Sequence, residues 1–192
     1  VSHCLWWQGA RLRVQGTRLA FTTTPNTRSL QRKTELTTFI NLFGGPGTGK
    51  STAAAALFAQ LKRKRITAEL VTEYAKDIQW SGNFNDFDDQ LYIFAEQNRR
   101  QRRLVGKVEY VVTDAPLLLG CVYGDTTNTF KNLVAQTFHS YNNVNYFLLR
   151  EKEYIPVGRN QTEAEALLLD RDILRVLVNG VVSFDDVTHN EL

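Results

Sequence analysis

Methionine is absent from the 192 residues, cysteine occurs twice and histidine three times. Cys4 and Cys121 form no metal-ligand spacing, and Cys4 lies in an atypical amino-terminal segment, so neither a zinc site nor a structural disulfide is expected. His3, His139 and His189 are scattered and carry no role. No stretch approaches the roughly 18 uninterrupted apolar residues of a membrane span, so no membrane partner is expected. The cysteine usage fits a reducing, cytoplasmic setting. An N-K-x-D segment, which a guanine-reading switch protein needs, is also missing. What remains is ordinary: 43% apolar and 22% charged residues suit one globular domain with a full core.

Charge divides the chain unevenly. Residues 1–37 carry six basic side chains (Arg11, Arg13, Arg18, Arg28, Arg32 and Lys33) against one acid, Glu35. The remaining 155 residues hold 17 basic and 19 acidic side chains, so the net charge of +3 belongs to the leading segment. Residues 1–37 therefore read as a basic extension, disordered or not native, with a nucleic-acid arm as the alternative. Residues 38–192 read as the catalytic domain.

Residues 44–51 read Gly-Gly-Pro-Gly-Thr-Gly-Lys-Ser, the pattern G-x-x-x-x-G-K-S of a phosphate-binding loop. An apolar run, Phe39 to Phe43, precedes it and an alanine-rich helix former follows it. Strand, glycine loop and helix form the arrangement that aims backbone N–H groups at phosphate oxygens. Gly44, Gly45, Pro46, Gly47, Thr48, Gly49, Lys50, Ser51 and Thr52 are the expected ATP-binding residues. Lys50 can reach the β- and γ-phosphates, and Ser51 can offer a hydroxyl to Mg²⁺.

The pattern downstream alternates strand and helix. Strands are expected at 38–43, 67–72, 110–113 and 144–149, with a last one beginning at Val181 and Val182. Helices are expected from the loop to about Arg65, from about Asp86 to Lys107, near 128–140, and from Thr162, where Thr followed three residues later by Glu is a capping box. The fold class is α/β, a parallel sheet with helices on both faces. Ligands in such sheets bind beyond the carboxyl ends of the strands. That rule gathers Glu73, Asp114 and Arg150 around the glycine loop.

Asp114 ends the most apolar strand and is the expected partner of Ser51 at Mg²⁺; a turn residue before Pro116 is the alternative. Glu73 is the candidate base for an acceptor hydroxyl, with Asp77 second; a surface acid pairing with Lys76 or another cation is the alternative. Tyr154 to Gln161 reads as a lid, with Arg159 folding over the transferring phosphate. Arg150 is a lesser candidate for the substrate. Gln97 can read a base edge as donor and acceptor together, and Trp80 can stack on a base, although most nearby aromatics suit a core. Arg99 to Arg103 form either a contact for an anionic substrate or a solvated face.

With these residues the chain resembles a family of small P-loop kinase-like ATPases, common in bacterial viruses and related to the ribosylnicotinamide kinase domain. The resemblance runs from about Thr38 to Leu177. It rests on 42–51, on Leu70-Val71-Thr72-Glu73-Tyr74-Ala75-Lys76-Asp77, on Thr113-Asp114-Ala115-Pro116-Leu117, and on Pro156-Val157-Gly158-Arg159-Asn160-Gln161-Thr162. It implies ATP and Mg²⁺ at Lys50 and Ser51, the acceptor at Glu73 or Asp77, the metal at Asp114 and a lid at Arg159. Some viral relatives phosphorylate the hydroxymethyl group of modified uracil in DNA, which would place this chain in a host cytoplasm. A DNA acceptor, a free nucleoside or a nucleoside monophosphate, and an ATPase switch or motor subunit are the readings carried forward.

Overall fold

The computed structural model describes residues 37–82, 87–123, 127–151, 162–180, 182–188 and 191. Five strands form one sheet: β1 (Thr38–Phe43), β2 (Ala68–Val71), β3 (Tyr110–Thr113), β4 (Asn142–Leu148) and β5 (Asp185–Val187). Their order across the sheet is β2-β3-β1-β4-β5, and every pairing is parallel. The helices are α1 (Lys50–Arg63), α2 (Tyr74–Ser81), α3 (Gln90–Arg102), α4 (Asn128–His139) and α5 (Glu163–Asn179), with a short 3₁₀ turn at Leu117–Cys121.

The alternation of side chains along a strand builds two cores from the same strands. Ile40 and Leu42 of β1, Val112 of β3 and Leu148 of β4 pack with Ala53 and Ala54 of α1 on one face. Phe43 and Phe147 point the other way, to Phe94 of α3, Leu117 to Leu119, Val134 and Phe138 of α4, and Ile173 and Leu177 of α5. Phe39, Val71 and Val111 continue that second face towards Leu104 and Val108. Helices on both faces of a parallel sheet are thus observed as expected.

Several elements differ from expectation, among them α2, which is not among the expected helices. The long helix stops at Arg102, because the chain turns through Leu104 and Lys107 and reaches Gly106 at φ 73°, a left-handed conformation that favours glycine. The last strand begins at Asp185 instead of Val181–Val182. Val182 is drawn into the core under α5, and the edge strand itself carries exposed Asp185 and Asp186. The capping box is present: Thr162 accepts from the Glu165 N–H, and Glu165 accepts from the Thr162 N–H. Thr37 is buried, donating to the Val108 carbonyl at 2.8 Å and accepting from the Gly106 N–H at 2.8 Å. The rest of the expected extension lies outside the described residues.

Candidate active site

The glycine loop leaves β1 at the carboxyl edge of the sheet. Gly44, Gly47 and Gly49 hold φ values of 139°, 88° and 90°. At Gly45 a Cβ would stand 2.5 Å from Asp170 Oδ1 and 2.8 Å from the Ala166 carbonyl, so only glycine lets α5 press against the loop. Thr48 Oγ1 and Lys50 Nζ both donate to the Gly45 carbonyl, at 3.0 and 2.9 Å. Gly49 caps α1 without a side-chain hydrogen bond. The N–H groups of the first turn, at Lys50, Ser51 and Thr52, have no partner within the helix and lie where phosphate oxygens would meet them.

Around Lys50 the sequence-predicted carboxylates do converge. Burial holds the Lys50 ammonium down at about 8, against the opposing pull of Glu73, Asp114 and Asp170. Burial also raises the Glu73 carboxyl above its ordinary value, although Lys50 and Lys76 work to lower it. The Glu73 side chain makes no cap hydrogen bond to α2. Asp114 is 2% exposed and forms an ion pair with Lys76 at 3.4 Å. Its second oxygen, Oδ1, is buried with no partner among the described residues. Lys76 Nζ also meets Ser51 Oγ, so an ammonium stands between the two residues expected to serve a metal.

That arrangement fits Mg²⁺. The ion takes few protein ligands and completes its shell with phosphate oxygens and water. One hydroxyl and one carboxylate with an unpaired buried oxygen suit such an ion, which would have to displace the Lys76 ammonium that stands between them. Among the described residues no group of three His, Cys, Asp or Glu could cage a metal by itself.

Other expected residues sit differently. Arg150 is held by Asp170, with Nε and Nη2 at 3.1 and 2.8 Å from Oδ2, and Asp170 in turn accepts from the Gly45 N–H. Arg150 Nη1 is buried and, among the described residues, unpartnered. Asp77 is ion-paired with Arg100, whose guanidinium lies over the Tyr74 ring at 4.7 Å, and takes no place in the Lys50 cluster. Gln97 is 6% exposed and bonded to main chain: Oε1 accepts the Tyr74 N–H at 2.9 Å and Nε2 donates to the Thr72 carbonyl at 3.4 Å. Trp80 is 82% exposed on the last turn of α2. Arg99 pairs with Glu96. Arg159 and the lid lie outside the described residues.

Sequence reasoning missed Asp170 and Tyr123, and named Lys76 only as a surface partner of Glu73. Asp170 belongs to an acidic-basic helix face that reads as solvated, and nothing in its spacing announces the glycine loop. Lys76 had a signal, since it lies one turn along the helix from Glu73. Tyr123 follows the 3₁₀ turn; burial pushes its phenol up, and Glu73 and Asp170 add to the effect, which sets it beside the same cluster.

Comparisons with known proteins bear on the family and the fold. A family model described as an AAA domain matches residues 39–187. No curated protein matches. Among solved structures, NadR protein in complex with NR is similar over 79% of this chain and 46% of its own, at 19% identity and a TM-score of 0.62. The chain therefore spans about half of that protein. Thymidylate kinase from Ehrlichia chaffeensis is similar over 80% of this chain and 87% of its own, at 14% identity and a TM-score of 0.54. Deoxyadenosine kinase from M. mycoides, with bound dATP, is similar over 79% and 91%, at 18% identity and a TM-score of 0.50. These likenesses show the fold, an α/β P-loop arrangement. No helix among the described residues is long and apolar enough to cross a membrane.

Proposed function

The chain belongs to the AAA domain family, and from that premise we propose that it is a P-loop phosphotransferase that moves the γ-phosphate of ATP to a hydroxyl of a nucleoside-type acceptor. The observation that carries the reading is the cluster of Lys50, Glu73 and Asp114 in front of the glycine loop. The first-turn N–H groups of α1 and the Lys50 ammonium bind and orient the phosphates. Polyphosphate charge favours protonated Lys50 and so offsets the burial that holds it near 8. Glu73 accepts the proton of the acceptor hydroxyl as its oxygen attacks phosphorus; the bond to the leaving ADP oxygen breaks on the opposite side. Ser51 and Asp114 would hold Mg²⁺, which neutralises charge on the β- and γ-phosphates when bound. Arg159, read from the sequence alone, would supply positive charge to the transferring group.

A small acceptor is favoured over a DNA base. Two of the arginines that could grip a DNA backbone, Arg99 and Arg100, are paired within the protein to Glu96 and Asp77. The domain outside residues 1–37 is also net acidic. The similar proteins are NadR in complex with NR, a deoxyadenosine kinase with bound dATP and a thymidylate kinase, which supports a nucleoside-type acceptor. The 5-hydroxymethyl group of uracil in DNA remains an arm of the test.

The deciding experiment is transfer from γ-labelled ATP to nucleosides, nucleoside monophosphates, and duplex DNA with or without 5-hydroxymethyluracil. Label in a small molecule is the expected result. Label only in modified DNA would overturn the small acceptor. Free phosphate without a labelled acceptor would replace the kinase with an ATPase switch or motor.

A further inference from the structure

Glu73 stands at the amino-terminal cap of α2 in an extended conformation, φ −64° and ψ 123°, and forms no side-chain cap. Ser, Thr, Asp or Asn is favoured at such a position because a short side chain can reach back to the first free N–H groups. The helix still needs an acceptor there, and Gln97 supplies it from α3. Its Oε1 accepts the Tyr74 N–H, the residue after Glu73; its Nε2 donates to the Thr72 carbonyl, the residue before. The clamp is built on rigid ground. Phe94, one turn earlier on α3, is buried in the core, and Asp89 caps that helix by accepting the Tyr92 N–H at 2.8 Å. The Tyr74 and Tyr92 hydroxyls join the two helices at 2.7 Å.

We propose that Gln97 is a positioning residue for Glu73: by holding the main chain on both sides of it, Gln97 takes over the capping of α2 and leaves the Glu73 carboxylate for the acceptor hydroxyl. The inference rests on the reading of Glu73 as the base. It replaces the expectation that Gln97 reads a base edge, because both ends of its amide are directed to backbone. A misplacement of about 1 Å in a reacting group costs on the order of 10²-fold in rate.

The test is a double-mutant cycle of Gln97→Met with Glu73→Gln, using label transfer from ATP to the nucleoside panel above. In the otherwise unchanged protein Gln97→Met is expected to lower kcat about 10²-fold with the KM for ATP within about twofold. In the Glu73→Gln background it is expected to change kcat less than about twofold, because there is no base left to misplace. Equal losses in both backgrounds would mean a merely structural residue and overturn the proposal. A changed preference between purine and pyrimidine acceptors at unchanged kcat would restore the base-reading role and overturn it as well. Glu73→Gln with full turnover would remove the base itself, a failure separate from that of the clamp. Amide hydrogen exchange at Tyr74 reads the clamp without activity. Gln97→Met should speed it at least about tenfold, and Gln97→Glu, which keeps an oxygen acceptor, should not. Unchanged exchange in Gln97→Met would sink the clamp even if the variant were inactive.

Discussion

Along the seam between β1 and β4, buried polarity is matched within the protein; along the carboxyl rim of the same sheet it is held open. On the seam, Asn41 Nδ2 donates to Asn143 Oδ1 and to Asn145 Oδ1, each at 2.9 Å. Asn143 goes on to the Phe138 and Tyr141 carbonyls, and Asn145 to the Ser183 carbonyl. At the rim, Asp114 Oδ1 and Arg150 Nη1 are buried without partners among the described residues, and Lys50 is desolvated. Leaving a buried polar group unpaired costs about 1–3 kcal/mol. The rim tolerates that cost where phosphates and a metal would bind, whereas the seam has no such use for it.

The contrast breaks most easily at Lys50. Lys50→Ala is expected to reduce phosphoryl transfer by about 10²–10³-fold or more, the usual cost of losing one charge-stabilising donor. Its thermal midpoint should not fall, since a desolvated ammonium is removed. Retained transfer in a steady-state assay would end the assignment of the loop. Asp114→Ala should come next, with about 10²-fold less turnover and a Mg²⁺ half-saturation raised at least about tenfold in a metal titration. Asn41→Ala should do the reverse. It strands the Asn143 and Asn145 carbonyl oxygens, so about 2 kcal/mol or more of stability should be lost in urea melts while kcat at 25 °C stays within about twofold. A large kcat loss there would erase the distinction between seam and rim.

Titration sharpens the same comparison with smaller effects. The rate kcat/KM should show an acid limb above the ordinary glutamate range, since Glu73 must be ionised to accept a proton and burial raises its value. Glu73→Gln should abolish that limb. Stability should respond at the other end of the scale. Lys50 is lowered to about 8 from 10.5, so between those values the unfolded chain binds the extra proton. Stability of the nucleotide-free protein therefore rises with pH across that window, and Lys50→Met should flatten the slope.

Much of this was legible in the sequence, for identifiable reasons. β1 and β3 are short apolar runs ended by residues that cannot continue them, and both appear with the bounds expected. The glycine loop is legible because its chemistry requires glycine at fixed spacing. Glu73 and Asp114 followed from a rule of sheet topology, which needs no knowledge of packing. The backbone bonds of Gln97 were not legible, because its amide has the same donor and acceptor whether it meets a base or a backbone; they depend on the approach of α3 to the start of α2. The edge strand was displaced for a related reason. Val182 carries the apolar signal, but its burial serves α5, while the paired residues Asp185 and Asp186 look like loop. Helix α2 follows the second strand with little connecting chain, and its mixed polarity gave no period to read.

The sheet order has a consequence during synthesis. β1 is made first and lies at the centre, flanked by β3 and β4, so Thr38 meets Tyr110 on one side and Asn142 on the other. The second meeting lies 104 residues downstream. At about 5–20 residues per second, a ribosome needs roughly 5–20 s to deliver that partner. Until Tyr110 is made, 72 residues after Thr38, the run Phe39 to Phe43 has neither neighbour available, and until Asn142 is made it has β3 alone. The nascent chain is then a ready client for a holding chaperone, and premature pairing between chains on one polysome is its characteristic hazard.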